Sequence, residues 1–339
     1  MTDFFIDPDI RKAKTLPSSF YLDERNFELS KEKIFSRSWQ LVGRVDEFDG
    51  LKPVTLLGGF LDEPVLLTKS GAQVGCLSNV CTHRGNILVE EACKASLIRC
   101  GYHGRRFDLG GRFLSMPEFD GVENFPSEDD DLRKVPFAVR GGFIFASLEP
   151  VASFKEFVDD AATRLEDVEP DGLELVSTRN YEVDAHWALY CENYLEGFHV
   201  PFVHKSLNEI VDYGTYTTET FRYSSLQTGF DQPGAIAGRY LFVFPNLMFN
   251  FYPWGISVNV VRPVTPSKSV VEFLTYVSDE SKVGTGAGAD LDRVELEDEA
   301  VVESVQRGIR SRFYDHGRYS PTREQGTHHF HRLIAEFMD

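Results

Sequence analysis

Cys81-Thr82-His83-Arg84-Gly85 and Cys100-Gly101-Tyr102-His103-Gly104 place two Cys and two His in the order C-x-H-x16-C-x2-H. Zinc sites more often draw C-x2-4-C or H-x3-5-H pairs from a turn, although four zinc ligands at this spacing remain an alternative. Here each of two loops offers one thiol and one imidazole. The mixture suits a [2Fe-2S] cluster in which two Cys hold one iron and two His the other. Neutral imidazoles in place of two thiolates remove negative charge from the ligand set and raise the reduction potential, so such a cluster accepts electrons readily. Gly85 and Gly104 supply turn residues where two loops fold over a cluster.

This stretch resembles the Rieske motif. Around it the chain has the texture of a small antiparallel β domain. The short runs Gln40–Val42, Pro53–Leu57, Pro64–Thr68, Leu97–Arg99 and Gly142–Ala146 are broken by Gly, Pro and Asp. We place a Rieske domain at 38–150, with the cluster loops at its tip.

At 339 residues the chain can form two domains, each with its own core. An aromatic content of 13% hints at a sizeable apolar cavity or interface. The formal charge of −18 argues against nucleic acid or an anionic membrane as partner. No run approaches the length of a membrane span. The acidic start, Met1-Thr-Asp-Phe-Phe-Ile-Asp7, does not read as a secretory signal, so the expectation is a cytoplasmic protein. Cys76, Cys93 and Cys191 form no secreted disulfide pattern and are expected to be reduced thiols.

Residues 1–37 read as an N-terminal helical segment, with Asp23-Glu24 before Phe27, Ile34 and Phe35 at helical spacing. Residues 152–167 predict a helix and 173–183 a strand. A second chemistry-bearing stretch follows, His186-Trp-Ala-Leu-Tyr-Cys-Glu192-Asn193-Tyr-Leu-Glu196-Gly-Phe-His199-Val-Pro201-Phe-Val-His204. On one continuous helix Glu192, Glu196 and His199 would share a face. His204 would lie about 140° round from His199. Pro201 disfavours helix continuation, so a bend after Val200 is expected to return His204 to His199. Two imidazoles so placed are part of the 2-His-1-carboxylate face of non-haem Fe(II) enzymes that activate O2.

The third ligand is expected from 291–313, where Val294, Val301, Val302, Val305 and Ile309 form an apolar helical stripe with Asp298 in its middle. A carboxylate aimed at a core is costly unless it meets a partner or a metal, which favours Asp298. Glu295, on the stripe's edge, is the next candidate. Glu297, Glu299 and Asp292 read as a solvated face. Between these stretches, Tyr240–Phe244, Met248–Trp254, Ile256–Val261 and Val270–Val277 suggest an antiparallel sheet curved over a pocket. Its aromatics are assigned to the core. Residues 281–290 read as a loop, and His328, His329 and His331 as surface or subunit-contact residues.

Taken together, the two stretches resemble the catalytic α subunit of a Rieske non-haem iron oxygenase, and the likeness covers nearly the whole chain. It implies an α+β fold, with a small antiparallel β Rieske domain at 38–150 and a helix-grip catalytic domain at 151–339 on which residues 1–37 pack. It implies Cys81 and Cys100 on one cluster iron, His83 and His103 on the other, and mononuclear Fe(II) on His199, His204 and Asp298. It further implies a homotrimer in which Glu196 bridges a cluster His and an iron His across subunits, with Asn193 in support. Electrons would come from NAD(P)H through a separate reductase or ferredoxin, with O2 and a small organic molecule as co-substrates.

Two positions depart from the family pattern: Arg105 stands where a Trp is usual, and His186-Trp187-Ala188 where Asn-Trp-Lys is common. Glu196, together with Arg307-Gly308 and Gly317-Arg318-Tyr-Ser320, is similar to the choline, carnitine and betaine oxygenases. Quaternary ammonium ions are bound by aromatic faces. The expected reaction is hydroxylation or oxidative demethylation of such a compound. The alternatives are ring hydroxylation of an aromatic and, from another class, an electron-transfer or ligand-binding protein without oxygen chemistry.

Overall fold

The structure, a computed structural model, describes residues 4–165, 172–283 and 291–339. The chain divides into two compact units, Ser36–Pro150 and the pair Met1–Phe35 with Val151–Asp339.

The Ser36–Pro150 unit contains β1 (Gln40–Arg44), β2 (Gly50–Leu56), β3 (Glu63–Ser70), β4 (Gln73–Ser78), β5 (Ile98–Arg99), β6 (Arg106–Phe107), β7 (Phe113–Ser115), β8 (Phe137–Arg140) and β9 (Phe143–Ala146). They form antiparallel sheets ordered β1-β9-β8, β2-β3-β4 and β5-β6-β7. Strand β3 is central and buried on both faces, which is why Val65-Leu66-Leu67 is uniformly apolar. Its alternation serves two cores. Leu66 joins Leu77, Ile98 and Phe107 around Cys81 and Cys100, whereas Val65 and Leu67 join Val42, Cys76 and Ile144.

In the other unit, strands β10 (Glu174–Val183), β11 (Thr217–Thr220), β12 (Ser224–Phe230), β13 (Ile236–Val243), β14 (Leu247–Tyr252), β15 (Gly255–Thr265) and β16 (Lys268–Val277) make one antiparallel sheet. Its order is β10-β16-β15-β14-β13-β12-β11. Cross-strand pairing puts Tyr240 opposite Asn250 and Asn250 opposite Ser257. Asn259 faces Phe273 in the next pair. With a period of two, Tyr240, Asn250, Tyr252, Ser257, Asn259 and Phe273 therefore lie on one face.

The helices of this unit are α1 (Ser18–Leu22), α2 (Glu24–Ser30), α3 (Phe154–Ala162), α4 (Trp187–Tyr194), α5 (Val200–Val203), α6 (Lys205–Ile210), α7 (Leu291–Gly308) and α8 (Gln325–Met338). The N-terminal helix expected through Phe35 is α2 followed by a π-helical turn, Lys31–Phe35, and Asp23 caps α2 by accepting from Arg25 N–H at 2.9 Å. Phe27, Ile34 and Phe35 are buried, and Phe35 meets Trp187 edge-on at 4.9 Å. Helix α3 begins at a capping box, Ser153 with Glu156. Of the loop read at 281–290, residues 284–290 lie outside the described residues.

Two expectations need correction. Helix α7 is rotated from the apolar stripe: Val305 is 42% exposed, while Glu295, Val302, Gln306 and Ile309 are buried. Glu295, the next candidate for the acid, instead accepts a hydrogen bond from Tyr190 Oη at 2.6 Å, and Gln306 accepts one from His186 N–H at 3.0 Å. The α8 histidines are not surface groups either. His331 is fully buried, with Tyr319 Oη 2.6 Å from its Nδ1 and Glu192 Oε1 3.1 Å from its Nε2. His328 Nε2 lies 2.8 Å from Asp7 O. These imidazoles satisfy polar groups inside the unit. Among the described residues no helix is long and apolar enough to cross a membrane.

Candidate metal centres

The two loops quoted first are built alike. Cys81 N–H donates to Asn86 O at 2.8 Å and Gly85 N–H to Cys81 O at 3.0 Å. Cys100 N–H donates to Arg105 O at 2.8 Å and Gly104 N–H to Cys100 O at 3.1 Å. The turns close through Gly85 and Gly104 at φ 71° and 72°, a left-handed backbone that other residues adopt at a cost. The loops bring the Cys81 and Cys100 thiols close enough that each shifts the other's ionisation. The His83 and His103 rings come within 4.7 Å, centroid to centroid.

Burial, with His103 beside it, depresses the pKa of His83 and favours the neutral imidazole that a metal needs. Burial also raises Cys81. For Cys100 burial is outweighed by the N–H groups of Tyr102 and His103 aimed at its sulfur, so this thiol is held below its usual range. Buried His103 Nδ1 finds no hydrogen-bond partner among the described residues. An orphaned ring nitrogen beside two thiols and a second imidazole fits the donor set of a [2Fe-2S] cluster with mixed ligation.

The second centre corrects the local geometry expected from Pro201. Helix α4 stops at Tyr194, so Glu192, Glu196 and His199 do not share a helical face. Glu192 turns instead to Tyr21 Oη, 2.7 Å away. Glu196 lies past the end of α4 and uses one carboxylate oxygen to accept from the backbone N–H groups of Phe198 and His199. Gly197 is pressed against Tyr216, whose ring would stand 2.8 Å from a Cβ at that position. The break thus precedes His199, and Pro201 opens α5 rather than ending a helix. Proline suits a first turn because its missing N–H would find no intrahelical partner there. His199 and His204 flank this single turn, and His204 leaves it at φ −105°, ψ 82°. Their ring centroids are 5.1 Å apart.

Asp298 on α7 meets both rings. Its Oδ1 lies 2.9 Å from His204 Nε2 and 3.5 Å from His199 Nε2, and it accepts from Asn193 Nδ2 at 2.6 Å. One potential ligand atom from each of His199, His204 and Asp298 lies within 4.8 Å of the others. The remaining ring nitrogens are held too. His199 Nδ1 lies 2.7 Å from Glu196 Oε1 and His204 Nδ1 2.9 Å from Glu297 Oε2. His204 is buried, which disfavours its charged form, but Asp298 and Glu297 outweigh that and raise its pKa. The same contact with His204 lowers that of Glu297. A buried and a half-buried imidazole and a carboxylate converging from separate segments fit a ferrous ion with open positions.

Glu297 was assigned to solvent because neighbouring residues on a helix diverge by about 100°, but the two nitrogens of one imidazole span that angle. Tyr240 and Tyr252 were assigned to the core, yet together with Tyr194 and Tyr216 they line a cavity of about 120 Å³ with the triad. The available signal was polar: Asn250, Ser257 and Asn259 occur at alternate positions of otherwise apolar strands, where a buried amide or hydroxyl needs a partner.

Cysteine–histidine loops in a small β unit and a two-histidine, one-carboxylate cluster beneath a seven-stranded sheet define an oxygenase that couples an iron–sulfur cluster to a mononuclear iron. Residues 38–126 match the sequence profile of the Rieske [2Fe-2S] domain, and 212–339 that of the ring-hydroxylating alpha subunit catalytic domain. The chain belongs to the Rieske non-haem iron oxygenases, as a catalytic α subunit. It is 32% identical to the chloroplastic choline monooxygenase of Arabidopsis thaliana, over 98% of this chain and 85% of that one. It is 28% identical to the carnitine monooxygenase oxygenase subunit of Escherichia coli K12, over 96% and 94%.

Among solved structures, the quaternary ammonium Rieske monooxygenase CntA with L-carnitine superposes with a TM-score of 0.80 at 27% identity, covering 98% of this chain and 97% of that one. Naphthalene 1,2-dioxygenase with indole shares the fold at a TM-score of 0.74 and 18% identity, covering 96% and 92%. The α+β architecture expected from sequence, a Rieske domain with a helix-and-sheet catalytic domain, is the observed one. The cofactors of this family are the Rieske [2Fe-2S] cluster and mononuclear iron, supplied with electrons by a partner reductase.

Proposed function

We propose that this α subunit hydroxylates or oxidatively demethylates a quaternary ammonium compound, using O2 and electrons relayed from NAD(P)H by a separate reductase or ferredoxin. In this reading Cys81, His83, Cys100 and His103 hold the cluster, and His199, His204 and Asp298 hold the iron. The observation that carries it is the meeting of His199, His204 and Asp298 at one wall of a tyrosine-lined cavity. When bound, the cluster supplies single electrons and the mononuclear iron activates O2.

The chain's own residues prepare that chemistry. Glu196 and Glu297 each accept the Nδ1 proton of one histidine, which fixes the tautomer and turns Nε2 towards the metal position. Asn193 steadies Asp298 through Oδ1. Tyr216, Tyr240 and Tyr252 offer ring surface to a cationic substrate. The named relatives act on choline and carnitine, and a CntA structure is described as revealing inter-subunit electron transfer. By that likeness the working assembly is a homotrimer in which Glu196 bridges one subunit's cluster to its neighbour's iron. A cytoplasmic location suits the five free cysteines.

Iron and acid-labile sulfide analysis tests the assignment. About three irons and two sulfides per chain are expected, falling to about two irons with unchanged sulfide in a His199→Ala, His204→Ala variant. Reductase-coupled O2 uptake with product formation on choline or carnitine should vanish in the same variant. Unchanged iron content there would refute the ligand set.

A further inference from the structure

The substrate cavity has an uneven charge inventory. Its lining includes the carboxyl groups of Glu196, Glu295 and Asp298, but neither Lys nor Arg occurs among the described residues that line it. Glu196 and Asp298 are engaged with the histidines. Glu295 is different. It is 4% exposed, receives one hydrogen bond from Tyr190 Oη to Oε2 at 2.6 Å, and its buried Oε1 finds no partner among the described residues. Burial pushes the Glu295 carboxyl towards its neutral form, and a positive charge brought beside the unpartnered oxygen favours the carboxylate.

The wall formed by the sheet is suited to a cation that cannot donate hydrogen bonds. Tyr216 and Tyr240 are near parallel at 6.5 Å, and Tyr252 stands across Tyr240 at 6.1 Å. Beside them is a neutral polar patch in which Asn259 Oδ1 accepts from Ser257 Oγ at 3.0 Å and from Asn250 Nδ2 at 3.4 Å. With that oxygen engaged, the Asn259 amide group left to meet a ligand is its Nδ2 donor. A cavity of about 120 Å³ is on the scale of the roughly 150 Å³ space that holds one benzene-sized ligand, and it does not suit a fused-ring substrate.

Resting on the oxygenase reading above, we propose that the cavity selects a small quaternary ammonium compound without a carboxylate, Glu295 being the counter-ion of its positive charge and Asn259 the contact for its uncharged polar end. A carboxylate-bearing substrate would bring an anion into a cavity whose described lining holds carboxyl groups and neither Lys nor Arg. Among the described lining residues no cationic side chain compensates the desolvation of that anion.

Calorimetric titration of the cluster- and iron-loaded protein with choline, glycine betaine, glycine betaine methyl ester and 3,3-dimethylbutan-1-ol tests the proposal. Choline and the ester are expected to bind, with glycine betaine about tenfold weaker or worse. The Glu295→Gln variant should bring choline down to the affinity of the uncharged alcohol. Glycine betaine binding as tightly as its ester would overturn the selectivity on the unaltered protein, whatever the variant does. Undiminished choline binding in a folded Glu295→Gln variant would overturn the counter-ion. If choline binds no better than its uncharged isostere, the quaternary ammonium reading itself falls and the proposal with it.

Discussion

Glu297 Oε2 lies 2.9 Å from His204 Nδ1, while the neighbouring residue, Asp298, meets the other nitrogen of the same ring. One imidazole is thus gripped at both ends by consecutive residues of α7. Removing the outer grip frees the ring to rotate and change tautomer. Glu297→Ala is expected to weaken iron binding by about 10- to 100-fold while leaving the cluster in place. Iron titration of the apoprotein, with the cluster's visible absorbance as control, measures it.

For Glu196 the expected signature is different. A glutamine there can still accept from His199 Nδ1–H, so Glu196→Gln should retain both metals. It should lose multiple turnover with reductase and substrate, because the amide lacks the charge that couples an iron histidine to a cluster histidine in the proposed trimer. Steady-state O2 uptake beside metal analysis distinguishes the outcomes, and full activity in the variant would remove the bridge from the mechanism.

Arg105 is a departure from the family pattern that the structure explains. Its side chain is buried, paired with Asp130 at 2.7 Å, and stacked over Phe113 at 4.7 Å and Phe125 at 5.6 Å. It therefore supplies a fixed positive charge to the cluster-bearing unit. Arg105→Met should cost about 2 kcal/mol of that unit's stability, because Asp130 loses its partner yet keeps some solvent contact. The cluster's reduction potential should also fall, since a positive charge stabilises the added electron. Thermal unfolding and an EPR-monitored redox titration read the two effects separately.

His186 predicts an acid sensitivity. Burial takes its pKa from an ordinary 6.5 to about 3, and its Nδ1 caps α4 by accepting from Ala188 N–H at 3.2 Å. Between those two values the unfolded chain binds a proton that the folded chain refuses. Stability is therefore full above pH 6.5 and declines as pH falls through it, by about 2 kcal/mol at pH 5. His186→Asn keeps a capping side chain but removes the titration. The variant should be less stable than the parent at neutral pH and lose less on acidification, as followed by tryptophan fluorescence in denaturant at pH 7 and pH 5.

The sequence exposed the two cysteine–histidine loops through their short spacing. The proposed cluster ligands stand on turns closed by Gly85 and Gly104, so order and local geometry coincide. His199 and His204 flank one helical turn and were found as a pair, but their local path was misread. Proline stiffness applies equally to opening and ending a helix, and Gly197, past the end of α4, packs against Tyr216 from beyond α6.

By itself, then, the amino-acid order singled out the cysteine–histidine loops, His199 with His204, and Asp298 as the proposed ligands, since ligand type and burial cost are local properties of a residue and its neighbours. Only the tertiary structure decided what Glu297, Glu295 and the α8 histidines do. The rotation of α7 and the burial of α8 follow from packing against distant strands and helices, and no period within either helix specifies which of its polar groups will meet a partner.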